Sequence, residues 1–230
     1  MFRGIHSLDW AFQGRGTAYT DQTSRAQMEL FHTRAMVAQK ELHTAHKLNP
    51  ADPSPFCGLI QVNMCTDGPK DEARQLLELA RERCPSHRES MYAYLYRMSE
   101  LWGGSDQEMM TFGLNVSSKA PLGSPLHSVL AECMLQFYMR GFKAKGMAEE
   151  GFVHFDQVYR KGIGHSAYRE DRKTIYDLNM FAGLYIWGEK EELVPELFVR
   201  LGSRRTVSPW NNFVDVDKAW KRGREVASKA

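Results

Sequence analysis

Ala38, Leu42, Ala45 and Pro50 recur as Ala73, Leu77, Ala80 and Pro85, a shift of 35 residues. Pro121 follows after another 36, with Met109, Gly113 and Val116 in place of the earlier Ala, Leu and Ala. The residue types fit the second helix of a repeated helical hairpin. A small Ala lets two helices approach closely, a Leu fills the groove between them, and a Pro stops the helix so that the next pair can begin. One such hairpin cannot bury its apolar side alone, so a chain that repeats it must stack its copies.

A period of about 34 residues is the length of the tetratricopeptide unit. The repeat therefore predicts an all-α fold, a short α-solenoid of tetratricopeptide-like hairpins with about ten helices. The match is good over two units, weaker over a third and lost after about residue 125. The consensus glycine at the crowded point of the first helix is missing, and Gln61 and Arg97 stand there instead. The expected organisation is a single domain over 1–230. It comprises an N-terminal cap (1–22), degenerate repeats (23–121), and further packed helices with a C-terminal capping helix (122–230).

Local punctuation agrees with helices throughout. Expected spans are Ser7 to Gln13, then 24–48, 54–66, 69–83, 87–102, 105–119, 124–143, 147–161, 168–187, 191–201 and 211–228. In 69–83, Ala73, Leu76, Leu77 and Ala80 fall at i, i+3, i+4 and i+7, one face of a helix. Ser24 with Gln27, Ser86 with Glu89, and Ser105 with Glu108 have capping-box spacing. Ser54-Pro55 and Ser124-Pro125 read as an N-cap before a first-turn proline. Gly103, Gly188 and Gly202 stand where a left-handed C-terminal residue is wanted. Pro195 should start its helix late or kink it.

Two stretches carry a likeness to known sequences. One is Trp102-Gly103-Gly104-Ser105-Asp106-Gln107-Glu108-Met109, followed by Ala120-Pro121-Leu122-Gly123-Ser124-Pro125-Leu126. The other runs from Glu196 to Thr206, with Pro209-Trp210 behind it. Together they resemble an uncharacterised bacterial, actinobacterial-type family of tetratricopeptide-like helical-repeat proteins. The resemblance implies the fold alone and carries over no functional residue. Read from the residues themselves, Trp102 closes one helix, Gly103 supplies the left-handed turn and Ser105 opens the next.

Bulk properties narrow the function. Hydrophobic residues at 43% supply a core, and charged residues at 25% argue against disorder. A net charge of +2 is too small to point to a nucleic-acid binder. Met1 to Trp10 has no apolar stretch of the secretory type, and no run approaches the roughly 20 apolar residues of a membrane span. Cys57, Cys65, Cys84 and Cys133 sit in apolar helical patterns and read as reduced core thiols. A cytoplasmic chain is expected, with no nucleic-acid or membrane partner and no cofactor.

No catalytic or metal motif stands out. His43 and His46, three apart near Glu41, lack a third ligand and the full zinc-site arrangement, so no metal is expected. Cys133, with His127 ahead of it, lies in the apolar run Val129 to Leu135, where a thiol is inert. The leading expectation is a protein–protein interaction scaffold, more plausibly not an enzyme, that holds a protein or peptide in a groove. Tyr92, Tyr96, Trp102 and Tyr159 are the groove candidates. The alternative is a small-molecule or enzymatic pocket near His154 and His165, where a His beside Asp156 and Tyr159 could move a proton. A third reading is self-association into a homo-oligomer. Lys218, Lys221, Arg222, Arg224 and Lys229 around Trp220 read as the solvated side of a capping helix, docked through Phe213, Val216 and Trp220; the alternative is contact with an acidic partner, nucleic acid or membrane.

Overall fold

The computed structural model describes residues 1–16, 22–139, 148–188, 194–212 and 216–229, with the backbone alone at 138, 148–154, 212, 216 and 229. Every regular element among these residues is helical, so the chain is all-α. The helices are α1 (Phe2–Arg15), α2 (Arg25–Leu48), α3 (Ser54–Cys65), α4 (Lys70–Arg83), α5 (Arg88–Arg97), α6 (Asp106–Lys119), α7 (Ser128–Met139), α8 (Ala148–Lys161), α9 (Thr174–Trp187), α10 (Val194–Leu201) and α11 (Val216–Lys229). Among the described residues, no helix is long and apolar enough to cross a membrane. The chain divides into two compact units, Met1–Met109 and Met110–Ala230.

The helix ends follow local chemistry. Ser24 Oγ accepts from Gln27 N–H at 3.3 Å while Gln27 Oε1 accepts from Ser24 N–H at 3.0 Å, a complete capping box. Ser105 Oγ accepts from Glu108 N–H at 3.1 Å. Other ends differ from the sequence expectation. Ser54 is the first residue of α3, and its N–H is met by Asp52 Oδ1 at 2.9 Å. His87 replaces Ser86 as the N-cap of α5, with its Nδ1 2.7 Å from Ser90 Oγ. Gly188 has φ −81 and is not left-handed. α1 begins at Phe2, well before Ser7. α9 begins at Thr174 rather than 168, because Thr174 Oγ1 accepts from Asp171 N–H at 2.8 Å and holds the chain in a turn. α10 starts at Val194, which puts Pro195 in its first turn, where a missing N–H costs nothing.

The expected helix 87–102 breaks after Arg97. Ser105 N–H donates to Met98 O at 2.9 Å and Gly104 N–H to Ser99 O at 2.9 Å, folding the chain back over a short 3-10 turn, Glu100–Trp102. Two glycines make this corner feasible. Gly103 has φ +75, and a Cβ on Gly104 would overlap the Met98 carbonyl.

In the Met1–Met109 unit, α3 packs against α2, α4 and α5, and α1 lies along α2. All six Ala and Leu positions of the 35-residue repeat are buried. Leu42 is held between two glycines: a Cβ on Gly4 would come within 2.7 Å of its side chain, and one on Gly58 within 2.8 Å. Arg97 is only 7% exposed. Its Nε donates to Asn63 Oδ1 at 3.0 Å, Nη2 to Gly68 O at 2.8 Å, and Nη1 to Trp102 O. Asn63 Nδ2 in turn donates to Pro69 O and Glu72 Oε2, both at 3.1 Å. One guanidinium therefore ties α3, the α3–α4 turn and the α5–α6 corner together.

In the Met110–Ala230 unit, α9 is buried along most of its length. Phe155 and Tyr159 of α8 stack against Phe181 and Tyr185 of α9 with centroids 4.9–6.4 Å apart. A second aromatic group joins α10 to α11: Trp220 lies 4.8 Å from Phe198 and 5.0 Å from Trp210. Asn179, fully buried, uses its carboxamide four times. Nδ2 donates to Ile175 O at 2.7 Å and Arg204 O at 2.9 Å, and Oδ1 accepts from Trp210 Nε1 at 2.7 Å and Thr206 N–H at 3.3 Å.

Candidate functional site

α3 and α5 stand one repeat apart and pack side by side. In α3 all residues are buried except Ser54, Cys57 and Gln61, at i, i+3 and i+7. In α5 all are buried except Glu89, Tyr92 and Tyr96, again at i, i+3 and i+7. Adding 35 to each number of the first set gives the second set. The two triplets are thus related by the same 35-residue shift as the buried Ala and Leu positions, and Cys57 Sγ reaches Glu89 O at 3.4 Å across them. Tyr92 and Tyr96 are half-buried, whereas Tyr94 is buried. Tyr96 meets Trp102, also half-buried, edge-on at 6.3 Å. The Arg97 bond to the Trp102 carbonyl fixes the corner that carries this indole.

The stripe brings together three of the four expected groove residues. Tyr159 is a correction: it belongs to the core of the other unit. It is 2% exposed, its ring packs on Phe181 and Tyr185, and its hydroxyl donates to Glu196 Oε1 at 2.6 Å. Burial and the Glu196 carboxylate raise the pKa of that hydroxyl, which stays protonated. The side chain of His154 lies outside the described residues. His165 sits in the turn after α8, where its Nδ1 accepts from Ala167 N–H at 3.1 Å, a turn-closing role.

The remaining candidates are structural. His43 is exposed, and His46 packs its ring 4.8 Å from Phe56. Among the described residues, no three His, Cys, Asp or Glu side chains are grouped to hold a metal ion. Burial pushes the Cys65 thiol up to about 12, so it carries no thiolate at neutral pH. His127 Nε2 lies 3.0 Å from Pro121 O and Nδ1 lies 3.1 Å from Ser117 Oγ. A carbonyl only accepts, so Nε2 bears the proton and Nδ1 takes the serine hydroxyl. This neutral imidazole is committed to backbone and serine and has no bond to the buried Cys133. Phe213 lies outside the described residues and Val216 is described by its backbone alone, while Trp220 packs on Phe198 and Trp210.

Two buried carboxylates were absent from the sequence candidates. Glu132 is 7% exposed and accepts from Gln136 Nε2 and Tyr176 Oη, both at 2.8 Å. Asp177, fully buried, accepts from Ser128 Oγ at 3.0 Å. The clue was present: Ser128, Glu132 and Gln136 are spaced by four in an otherwise apolar run, and so share a helix face with the core. Burial raises the Glu132 pKa above its usual 4.5, outweighing the bonds from Gln136 and Tyr176 and the field of Lys173. A raised folded pKa gives stability that is fully present below about 4.5 and lost as pH rises through the folded value. Glu132→Gln keeps both hydrogen bonds after a flip of Gln136. It is expected to raise the urea midpoint at pH 7, with the gain shrinking to nothing as pH falls below about 4.5; urea titrations at several pH values check this. His127 works the other way. Burial lowers its pKa below 6.5, so its contribution is present above that pH and lost on acidification.

In comparisons with protein-family models, with curated proteins and with solved structures, nothing matches the chain.

Proposed function

We propose that the chain is a protein-binding scaffold, and that its Met1–Met109 unit is a short run of tetratricopeptide-like hairpins holding a partner segment along the α3–α5 stripe. The observation that carries this reading is a continuous half-buried stripe, with aromatic side chains on α5, that follows the 35-residue shift. The 35-residue repeat is defined by buried Ala and Leu of the second helices. The unburied positions of the first helices, Ser54, Cys57 and Gln61 against Glu89, Tyr92 and Tyr96, follow the same shift. A regular stack carries its unburied positions forward in register, so the stripe runs continuously from one copy to the next. A binding surface for an extended segment needs that spacing, since the segment meets each copy in turn.

The chemistry suits peptide recognition. Tyr and Trp present broad, stiff surfaces with a polar tip and dominate binding energies where they are anchored from behind. Tyr96 and Trp102 brace one another, and Arg97 braces the corner beneath. The neutral Ser54 and Gln61 offer hydrogen bonds to a partner backbone.

The test is selection of a displayed random-peptide library on the immobilised chain. Peptides are expected that lose about tenfold or more in affinity with Tyr92→Ala/Tyr96→Ala, a loss of the size expected for two anchoring aromatics. The double variant should keep its helical circular dichroism and a cooperative melt. Peptides that bind the variant as well as the parent would remove the stripe from the reading.

A further inference from the structure

A second surface of different chemistry lies on α11. Between Arg200 and Lys229 the sequence has eight Lys and Arg against three Asp and Glu, although the whole chain carries only +2. α11 is fixed in rotation by its inner face. Ala219 is buried, the Trp220 ring is lodged against Phe198 and Trp210, and a Cβ on Gly223 would run into the Phe198 ring. Lys218, Lys221, Arg222 and Arg224 are therefore held on the outside, exposed, with Glu225 and Ser228. Trp220, Lys221, Arg224, Glu225 and Ser228 line an open depression. The nearest acids are partly engaged: Asp217 accepts from Arg205 Nη1 at 2.8 Å, and Glu225 stands 3.8 Å from Lys221 Nζ.

We propose that this depression docks an acidic protein segment, with carboxylates against Lys221 and Arg224 and an apolar side chain over the half-exposed indole of Trp220. Charge complementarity decides the occupant. Cations dominate the outer face, which selects an anionic partner. A phosphodiester strand brings a charge at every nucleotide and would meet Glu225 inside the depression. A protein segment can set an amide or hydroxyl against Glu225 and Ser228 and place its acids where the cations are. A lipid surface is disfavoured because, among the described residues, the exposed side chains of α11 are all polar and the Trp220 ring is lodged against Phe198 and Trp210 rather than projecting outward. This surface is independent of the α3–α5 stripe.

The experiment is fluorescence anisotropy with the full chain and three probes: a fluorescein-labelled peptide of alternating Glu and Leu, the same peptide with Lys for Glu, and a labelled oligo-dT strand. Vesicles containing phosphatidylserine are tested by co-sedimentation. The acidic peptide is expected to bind, more weakly as salt rises. Lys221→Glu/Arg224→Glu is expected to weaken it by about tenfold or more, since like charges then face each other. Glu225→Gln should tighten it. All three substitutions are at exposed positions, and the thermal midpoint is monitored to show that the fold is retained. Tighter binding of oligo-dT than of the acidic peptide, sedimentation with vesicles, equal binding of the Lys peptide, or an acidic-peptide affinity unchanged by the double substitution would each overturn the proposal. So would the absence of acidic-peptide binding.

Discussion

Replacing Arg97 with methionine is expected to lower the stability of the Met1–Met109 unit by about 3–5 kcal/mol, the range for removing one member of a buried charged network. The side chains are similar in length, so the loss is one of bonding rather than of volume. Asn63 Oδ1, Gly68 O and Trp102 O each lose their donor, and water has poor access to a residue 7% exposed. Lysine recovers only part of the loss, because a single ammonium cannot match the planar fork that reaches three acceptors in different directions. Urea unfolding followed by circular dichroism measures both variants. The order Arg, Lys, Met should hold, and equal midpoints for Lys and Met would mean that the three-way tie contributes nothing. Tryptophan fluorescence should shift in the methionine variant before global unfolding, since the corner carrying Trp102 is the part released.

The second large effect concerns Leu42. Leu42→Ala empties a fully buried site and is expected to cost about 3–5 kcal/mol. Gly58→Ala alone is also unfavourable, by about 1–3 kcal/mol, because its Cβ would press on the Leu42 methyl carbons at 2.8 Å. The two changes act on the same space, however. In Leu42→Ala/Gly58→Ala the new methyl enters the void left by the leucine. The double variant should therefore be more stable than the sum of the singles by about 1–2 kcal/mol, as coupled neighbours show. Denaturant midpoints of the four proteins close the cycle. Strict additivity would mean that Leu42 is not lodged against Gly58.

These two residues also mark how far the sequence could be read. Leu42 was identifiable because its repeat position and its neighbours Ala38 and Ala45 are local facts of periodicity. The anomaly at Arg97 was equally visible as a departure from the repeat consensus. Its role was not, since Gly68 and Trp102 lie 29 and 5 residues away and meet only through the fold. The break after Arg97 was hidden for a related reason. Nothing between 87 and 102 forbids a helix, and the interruption comes from Ser105 returning to Met98. Phe155 and Tyr159, four residues apart, share a helix face by spacing, but spacing does not say whether that face meets a partner or α9. Tyr92 and Tyr96 share a face for the same reason, yet their register with Cys57 and Gln61 needs the burial pattern of both helices. Glu132 shows in the sequence only through its four-residue spacing from Ser128 and Gln136, and its partner Tyr176 lies 44 residues away and meets it only through the fold.

The carboxamide of Asn179 bears on the loop that follows α10. Surface connections ordinarily drift in length at little cost. Here the carbonyl of Arg204, the amide of Thr206 and the indole of Trp210 all end on one side chain in the middle of a buried helix. Their spacing along the chain is set by the reach of that single group. An inserted or deleted residue between 204 and 210 would strand either the donor pair or the acceptor in an apolar interior. The segment has the appearance of a loop and the length tolerance of a helix.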